Sequence, residues 1–114
     1  MTTTYEALAE PNRRHILDLL RVRPRTVGEL VDALGMSQPL ISKHLRVLRE
    51  AGLVSVRQDA QRRWYEIRPE PLAEMADWLA PFRQMAEARF DRLDDLLDEL
   101  QARENDNEQD NVDR

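Results

Sequence analysis

Five polar side chains, Gln38, Ser42, Lys43, Arg46 and Arg49, fall on one side of a short helical pattern whose other side carries Ile41, Leu45 and Leu48. The chemistry open to this set is recognition of a polyanion. A glutamine amide or a guanidinium forms paired hydrogen bonds with base edges in the DNA major groove, and an ammonium meets phosphate as a point charge. Arg57, Arg62 and Arg63 bring three more cations a short way downstream. A basic face can also do no more than solvate a surface helix, so the neighbouring elements have to decide between the two readings.

Those elements carry their own starts and stops. Thr26 is placed to accept from the amide of Glu29 while Glu29 returns a bond to the amide of Thr26, so a helix begins at about Val27. Leu30, Val31 and Leu34 give it an apolar stripe, and Gly35 supplies the left-handed residue that ends it at Leu34. Ser37 caps a second helix, in which the early Pro39 sacrifices little because the first amides have no internal partner, and Gly52 closes it. Two capped helices joined by a three-residue turn form a helix-turn-helix, and the polar start of the second suits the major groove.

Past the second helix the period changes to two. Val54 and Val56 alternate with Ser55 and Arg57, Gln58 to Gln61 predicts a turn, and Arg63, Tyr65 and Ile67 alternate with Arg62, Trp64 and Glu66. This is a β-hairpin, or wing, whose Arg57, Arg62 and Arg63 can lie along phosphates or enter the minor groove. Trp64 falls on the face opposite Tyr65, where it either packs on the C-terminal helix or stays open to a partner.

With these parts in place the sequence resembles the ArsR/SmtB family of winged-helix bacterial repressors, over about Glu6 to Leu100. The resemblance rests on the run from Ala7 to Leu17, the run from Ser37 to Leu48, and the hairpin ending in Trp64-Tyr65-Glu66-Ile67. It implies that the segment from Ser37 onward is the recognition helix, with Ser37, Gln38, Ser42, Lys43, His44 and Arg46 contacting DNA, and that the first and last helices pair in a homodimer. Two departures stand out. The family usually has a glycine at the wing tip, where this chain has Asp59-Ala60-Gln61. Many members also bind a transition metal through a cysteine run matching Thr26 to Val31, and others through Asp and His on the last helix.

This chain has no cysteine and no histidine after His44, so thiolate ligation and thiol redox signalling are excluded and no metal or other cofactor is expected. His15 and His44 lie 29 residues apart on different helices. His44 is expected to bond a phosphate or sit as a buried, satisfied ring, and His15 to be a partly exposed structural residue.

A chain of 114 residues suits one small domain, and small domains bury a lesser fraction of their surface, which favours pairing with a second copy. There is no secretory apolar segment in the first 20 residues and no run long enough to span a bilayer, so a cytoplasmic protein without a membrane partner is expected. The net charge of −5 divides unevenly: residues 1–69 hold twelve Lys and Arg against eight Asp and Glu, and residues 70–114 hold five against fourteen. A local basic face can attract a polyanion while the acidic part stays off it.

The acidic part begins with Met75, Leu79, Phe82, Ala86, Phe90, Leu93, Leu97 and Leu100 recurring at steps of three and four, with Trp78, Met85 and Leu96 as a second stripe. One small domain cannot bury both, so the same helix of a twin subunit is expected to cover Trp78, Phe82, Met85, Phe90, Leu93, Leu96 and Leu97. Tyr5 and Leu8, on a short first helix, are expected to reach the partner too. Pro81 predicts a break or kink with a new helix starting there. The N-terminal threonines are uninformative. The expected organisation is a mainly α winged helix-turn-helix domain over 1–102, with a disordered acidic tail over 103–114.

No phosphate-cradling glycine loop, nucleophile motif or metal cluster is present, and Asp94, Asp95, Asp98 and Glu99 fall on the solvent side of a helix, so no enzyme is expected. The remaining rival is a winged-helix module that binds protein through the wing and Trp64, without specific DNA binding. It calls for apolar anchors that Gln38, Ser42, Lys43 and Arg46 do not supply. The expected function is a homodimeric transcriptional regulator, a repressor of its own operon that occupies a pseudo-palindromic DNA operator, with no effector identified.

Overall fold

A computed structural model of the chain describes residues 2–112, with 108–112 in backbone only. The elements run α1 (Thr4–Ala9), α2 (Pro11–Val22), α3 (Val27–Leu34), α4 (Gln38–Glu50), β1 (Val54–Asp59), β2 (Arg62–Ile67) and α5 (Glu70–Val112). They fall into two compact units, Met1–Ala76 and Asp77–Arg114.

The N-terminal threonines turn out to be structural. Thr3 Oγ1 accepts from the Glu6 amide at 3.1 Å while the Glu6 carboxylate accepts from the Thr3 amide at 3.4 Å, a reciprocal cap on α1. The other end of α1 is held by two arginines of α2. Arg13 donates from Nε to the Ala7 carbonyl at 2.6 Å and from Nη2 to the Glu6 carbonyl at 3.0 Å, and Arg14 donates to the Leu8 carbonyl at 2.6 Å. Carbonyls that a helix end leaves without internal partners thus receive charged donors.

Helices α3 and α4 begin and end where their caps dictate. Thr26 accepts from the Glu29 amide at 3.2 Å, Gly35 closes α3 at φ 67°, and Ser37 Oγ accepts from the Leu40 amide at 3.4 Å. One half of the expected exchange is replaced: the Glu29 carboxylate takes the Arg23 guanidinium at 2.8 Å, a stronger donor than the Thr26 amide. Ile16, Leu30, Ile41, Leu45, Leu48 and Leu53 are fully buried at the centre of the first unit, each contributing roughly 1.5–3 kcal/mol by leaving water.

In the wing, Val54 pairs with Ile67 and Val56 with Tyr65, so the apolar residues share one face while Arg57 and Trp64 oppose each other on the other. Trp64 is half-buried there. Arg25 and Tyr65 exchange backbone hydrogen bonds of 3.1 and 2.8 Å, which pins β2 to the segment entering α3. The connection is tighter than the expected Gln58–Gln61 turn, because Gln58 and Asp59 pair with Arg63 and Arg62. Ala60 takes the position where a glycine would be comfortable, at φ 55°, a conformation costing an L residue roughly 1–2 kcal/mol. Ala60→Gly should therefore stabilise the fold by up to about 1 kcal/mol after the larger unfolded-state entropy of glycine is subtracted, and so raise the melting temperature. An unchanged or lower melting point would contradict the strain.

Helix α5 corrects one expectation. It runs through Pro81 with no new start, because continuing a helix costs far less than nucleating one and the exposed Asp77 carbonyl that loses its amide partner is open to water. The helix extends over 103–112, the stretch whose composition predicts disorder and which neither Gly nor Pro interrupts. Residues 113 and 114 of the expected tail lie outside the described residues. Within the second unit Trp78, Phe82, Met85, Leu93, Leu96, Leu97 and Leu100 are each about half exposed and Phe90 is 66% exposed, and the Trp78 and Phe82 rings lie 4.9 Å apart with a 45° tilt. In the first unit Tyr5 is also about half exposed, and Leu8 is packed against the core. No helix among the described residues is long and apolar enough to cross a membrane.

Candidate nucleic-acid interface

Helix α4 presents its two sides as the periodicity requires. Ile41, His44, Leu45 and Leu48 are buried, and Gln38, Ser42, Lys43, Arg46 and Arg49 are exposed. Ser37 and Gln38 stand at its N-terminus, where the positive end of the helix dipole adds to the attraction for an anion. The side toward the wing is concave. A groove of about 270 Å³ is lined by Ser42, Leu45, Arg46 and Arg49 from α4 and by Arg63 and Tyr65 from β2.

The charges in and beside that groove are uncompensated. Ion pairs among the described residues join Arg23 to Glu29, Arg57 to Glu66 and Asp59, and Arg83 to Glu87; none takes up Lys43, Arg46, Arg49 or Arg63. Arg57, of the expected DNA-contacting set, is the wing arginine that is held in ion pairs. Its Nε bonds Glu66 at 2.8 Å, and its Nη1 stands 3.9 Å from Asp59, so its charge is neutralised on the wing's outer face. Glu66 keeps that guanidinium protonated even more firmly than usual, first through the hydrogen bond and then through its charge. Arg62 lies in register opposite Asp59 at the tip. Arg49, by contrast, belongs with the groove although only its outward direction is evident from the sequence; the spacing Ser42, Arg46, Arg49 is the signal that places it on the stripe.

His44 takes the buried one of its two expected places, but without the partner that a satisfied ring would have. Only 7% exposed, it lies inside the fold and not on the surface offered to DNA, and its Nδ1 has no hydrogen-bond partner. Burial pushes the imidazole below its ordinary range; Arg13 and Lys43 push the same way against the carboxylate of Glu10. A base whose folded value is depressed contributes stability that is complete above the unfolded value, about 6.5, and is lost as pH falls from there through the folded value. Thermal melts between pH 7.5 and 5 should show the wild type losing stability faster than His44→Leu. Parallel curves would show that the buried ring stays out of the titration.

His15 is exposed on α2. No cluster of three or more His, Cys, Asp or Glu close enough for a metal occurs among the described residues. What the assembled surface can do is bind a polyanion through hydrogen-bonding and charged groups set on a rigid helix and strand.

Comparison with known proteins agrees with this geometry. Residues 10–56 match the model of the bacterial regulatory protein, arsR family. The chain is 32% identical over 82 residues to the transcriptional repressor SdpR of Bacillus subtilis, covering 72% of this chain and 91% of that protein. It is 38% identical over 91 residues to the HTH-type transcriptional regulator Rv2034 of Mycobacterium tuberculosis, covering 80% and 85%. Among solved structures, a possible transcriptional regulator for arsenical resistance superposes with a TM-score of 0.61 at 39% identity, covering 72% of this chain and 92% of that one. The homodimeric winged helix-turn-helix DNA-binding domain of Mb0332 from Mycobacterium bovis, a possible ArsR-family regulator, gives 0.57 at 33%, covering 69% and 73%. With its capped helix-turn-helix, its wing and these relatives over most of their length, this chain belongs to the ArsR family of DNA-binding transcriptional regulators.

Proposed function

We propose that the protein is a homodimeric repressor that occupies a pseudo-palindromic operator and controls its own operon. Two copies of α4 enter successive major grooves about one helical turn apart. Gln38, Ser42 and Arg46 face base edges, Lys43 meets phosphate, and Arg62 and Arg63 follow the backbone beside the wing. The observation that carries this reading is the row of uncompensated cations along the exposed side of a helix whose N-terminal turn is also exposed. Two further facts support it: the apolar side chains of α5 stand half exposed in a single copy, and a similar domain was solved as a homodimer.

The test is a titration of the full chain against a duplex taken from upstream of its own gene, with stoichiometry read by sedimentation and affinity read across salt. Two chains per duplex are expected, with an affinity well above that for a random duplex and a steep fall with salt. Equal affinity for both duplexes would contradict the proposal.

A further inference from the structure

A helix lying in the major groove and a wing lying in the adjacent minor groove have one thing between them, the strand of phosphates that separates the two grooves. The surface facing that strand is the concavity between α4 and β2, where Ser42, Arg46 and Arg49 meet Arg63 and Tyr65. At about 270 Å³ it is several times the ~30 Å³ occupied by a water molecule, which leaves room for a phosphate with its bridging waters.

We propose that this groove is a seat for a single phosphate of the DNA backbone, shared by Arg49 and Arg63 beside the base-facing Ser42 and Arg46. The inference rests on the DNA-binding reading and adds to it a built site, including Arg49, outside the base-reading turn of α4. Three guanidiniums around one concavity repel one another, and no carboxylate among the described residues forms an ion pair with any of them. A phosphate in the groove would supply the opposite charge.

The seat is also rigid. Ser42, Arg46 and Arg49 succeed one another on consecutive turns of one helix, beside the fully buried Leu45 and Leu48. Arg63 stands two residues before Tyr65 on the same side of β2, and the Tyr65 backbone is bound in both directions by Arg25. The backbone that carries these guanidiniums is therefore fixed before binding, and only side-chain freedom is given up when a phosphate is taken.

The experiment is a double-mutant cycle on the full chain, with Arg49→Ala, Arg63→Ala and both together, binding the upstream and random duplexes across salt. Each single change is expected to weaken both duplexes roughly tenfold, the size of one charge-assisted hydrogen bond. Each should also flatten the slope of log affinity against log salt by about 0.9. The double variant should flatten it by about the same single step, because one phosphate is lost, not two. Arg49→Lys should keep the slope, since the charge remains. A double step in the double variant would assign the arginines to separate phosphates, and an unchanged slope would leave them off the DNA; either overturns the proposal. If the wild type binds no duplex at all, the DNA reading fails, and melting in inorganic phosphate against chloride at equal ionic strength decides the seat. A stabilisation that Arg49→Ala abolishes upholds it as a phosphate site, and equal melting points overturn it.

Discussion

Leu93→Asp is expected to leave the protein a folded monomer that no longer binds its operator tightly. In one copy Leu93, Leu96, Leu97 and Leu100 are each about half exposed on α5, continuing a row that starts at Trp78 and Phe82. A row of this extent exceeds the scattered apolar exposure normal for a monomer. When the same helix of a second copy covers it, a carboxylate at position 93 is buried without a partner, at a cost of several kcal/mol. A two-fold interface repeats the change, so the penalty is incurred twice. The dimer dissociation constant should rise by at least about 100-fold, roughly 2.7 kcal/mol, while Leu93→Met, which conserves volume, should leave it nearly unchanged. Sedimentation velocity with circular dichroism as a check on folding distinguishes the outcomes. A wild type that sediments as a folded monomer, or a Leu93→Asp variant that stays dimeric, would place this face outside the interface.

The second large effect belongs to α4. Lys43→Ala combined with Arg46→Ala should cost about 3 kcal/mol or more on any duplex, because each removes a charge-assisted contact worth about 1.5–3 kcal/mol. Neither side chain has an internal partner to lose, so the melting temperature should hardly move. Gln38→Ala should act differently. A paired contact between its amide and an adenine edge is worth about 1–3 kcal/mol on the operator and almost nothing on random DNA. Fluorescence anisotropy with the two duplexes at one salt concentration separates the two behaviours. A double variant that binds DNA as well as the wild type would show that α4 stays out of the groove, and a protein-binding role for the wing and Trp64 would then be the better account.

The helix boundaries were legible because their causes are local. Thr26, Gly35, Ser37 and Gly52 act within a few residues of themselves, and α3 and α4 start and stop beside them. The burial of Ile41, Leu45 and Leu48 was legible for the same reason, and His44 stands on that inward stripe, three residues after Ile41. The resemblance placed it among the DNA contacts, whereas periodicity favours the buried alternative, which is where it lies. Features that depend on two elements meeting could not be read so directly. The diagonal pair of Arg57 with Glu66 needs the strand register, and the joining of Arg49 to Arg63 needs β2 docked beside α4. The turn at Ala60 was hidden because nothing about an alanine announces a positive φ. Pro81 misled in the opposite direction, since a strong local breaker was outweighed by the helix on both sides of it.

Specific binding requires α4 to occupy the major groove, and guanine N7 lies in that groove alone. Dimethyl sulfate protection of the upstream duplex by the full chain tests this most directly. Two protected patches about one helical turn apart are predicted, both lost with Lys43→Ala and Arg46→Ala together. A bound duplex whose guanines react at N7 as fast as in free DNA would contradict it.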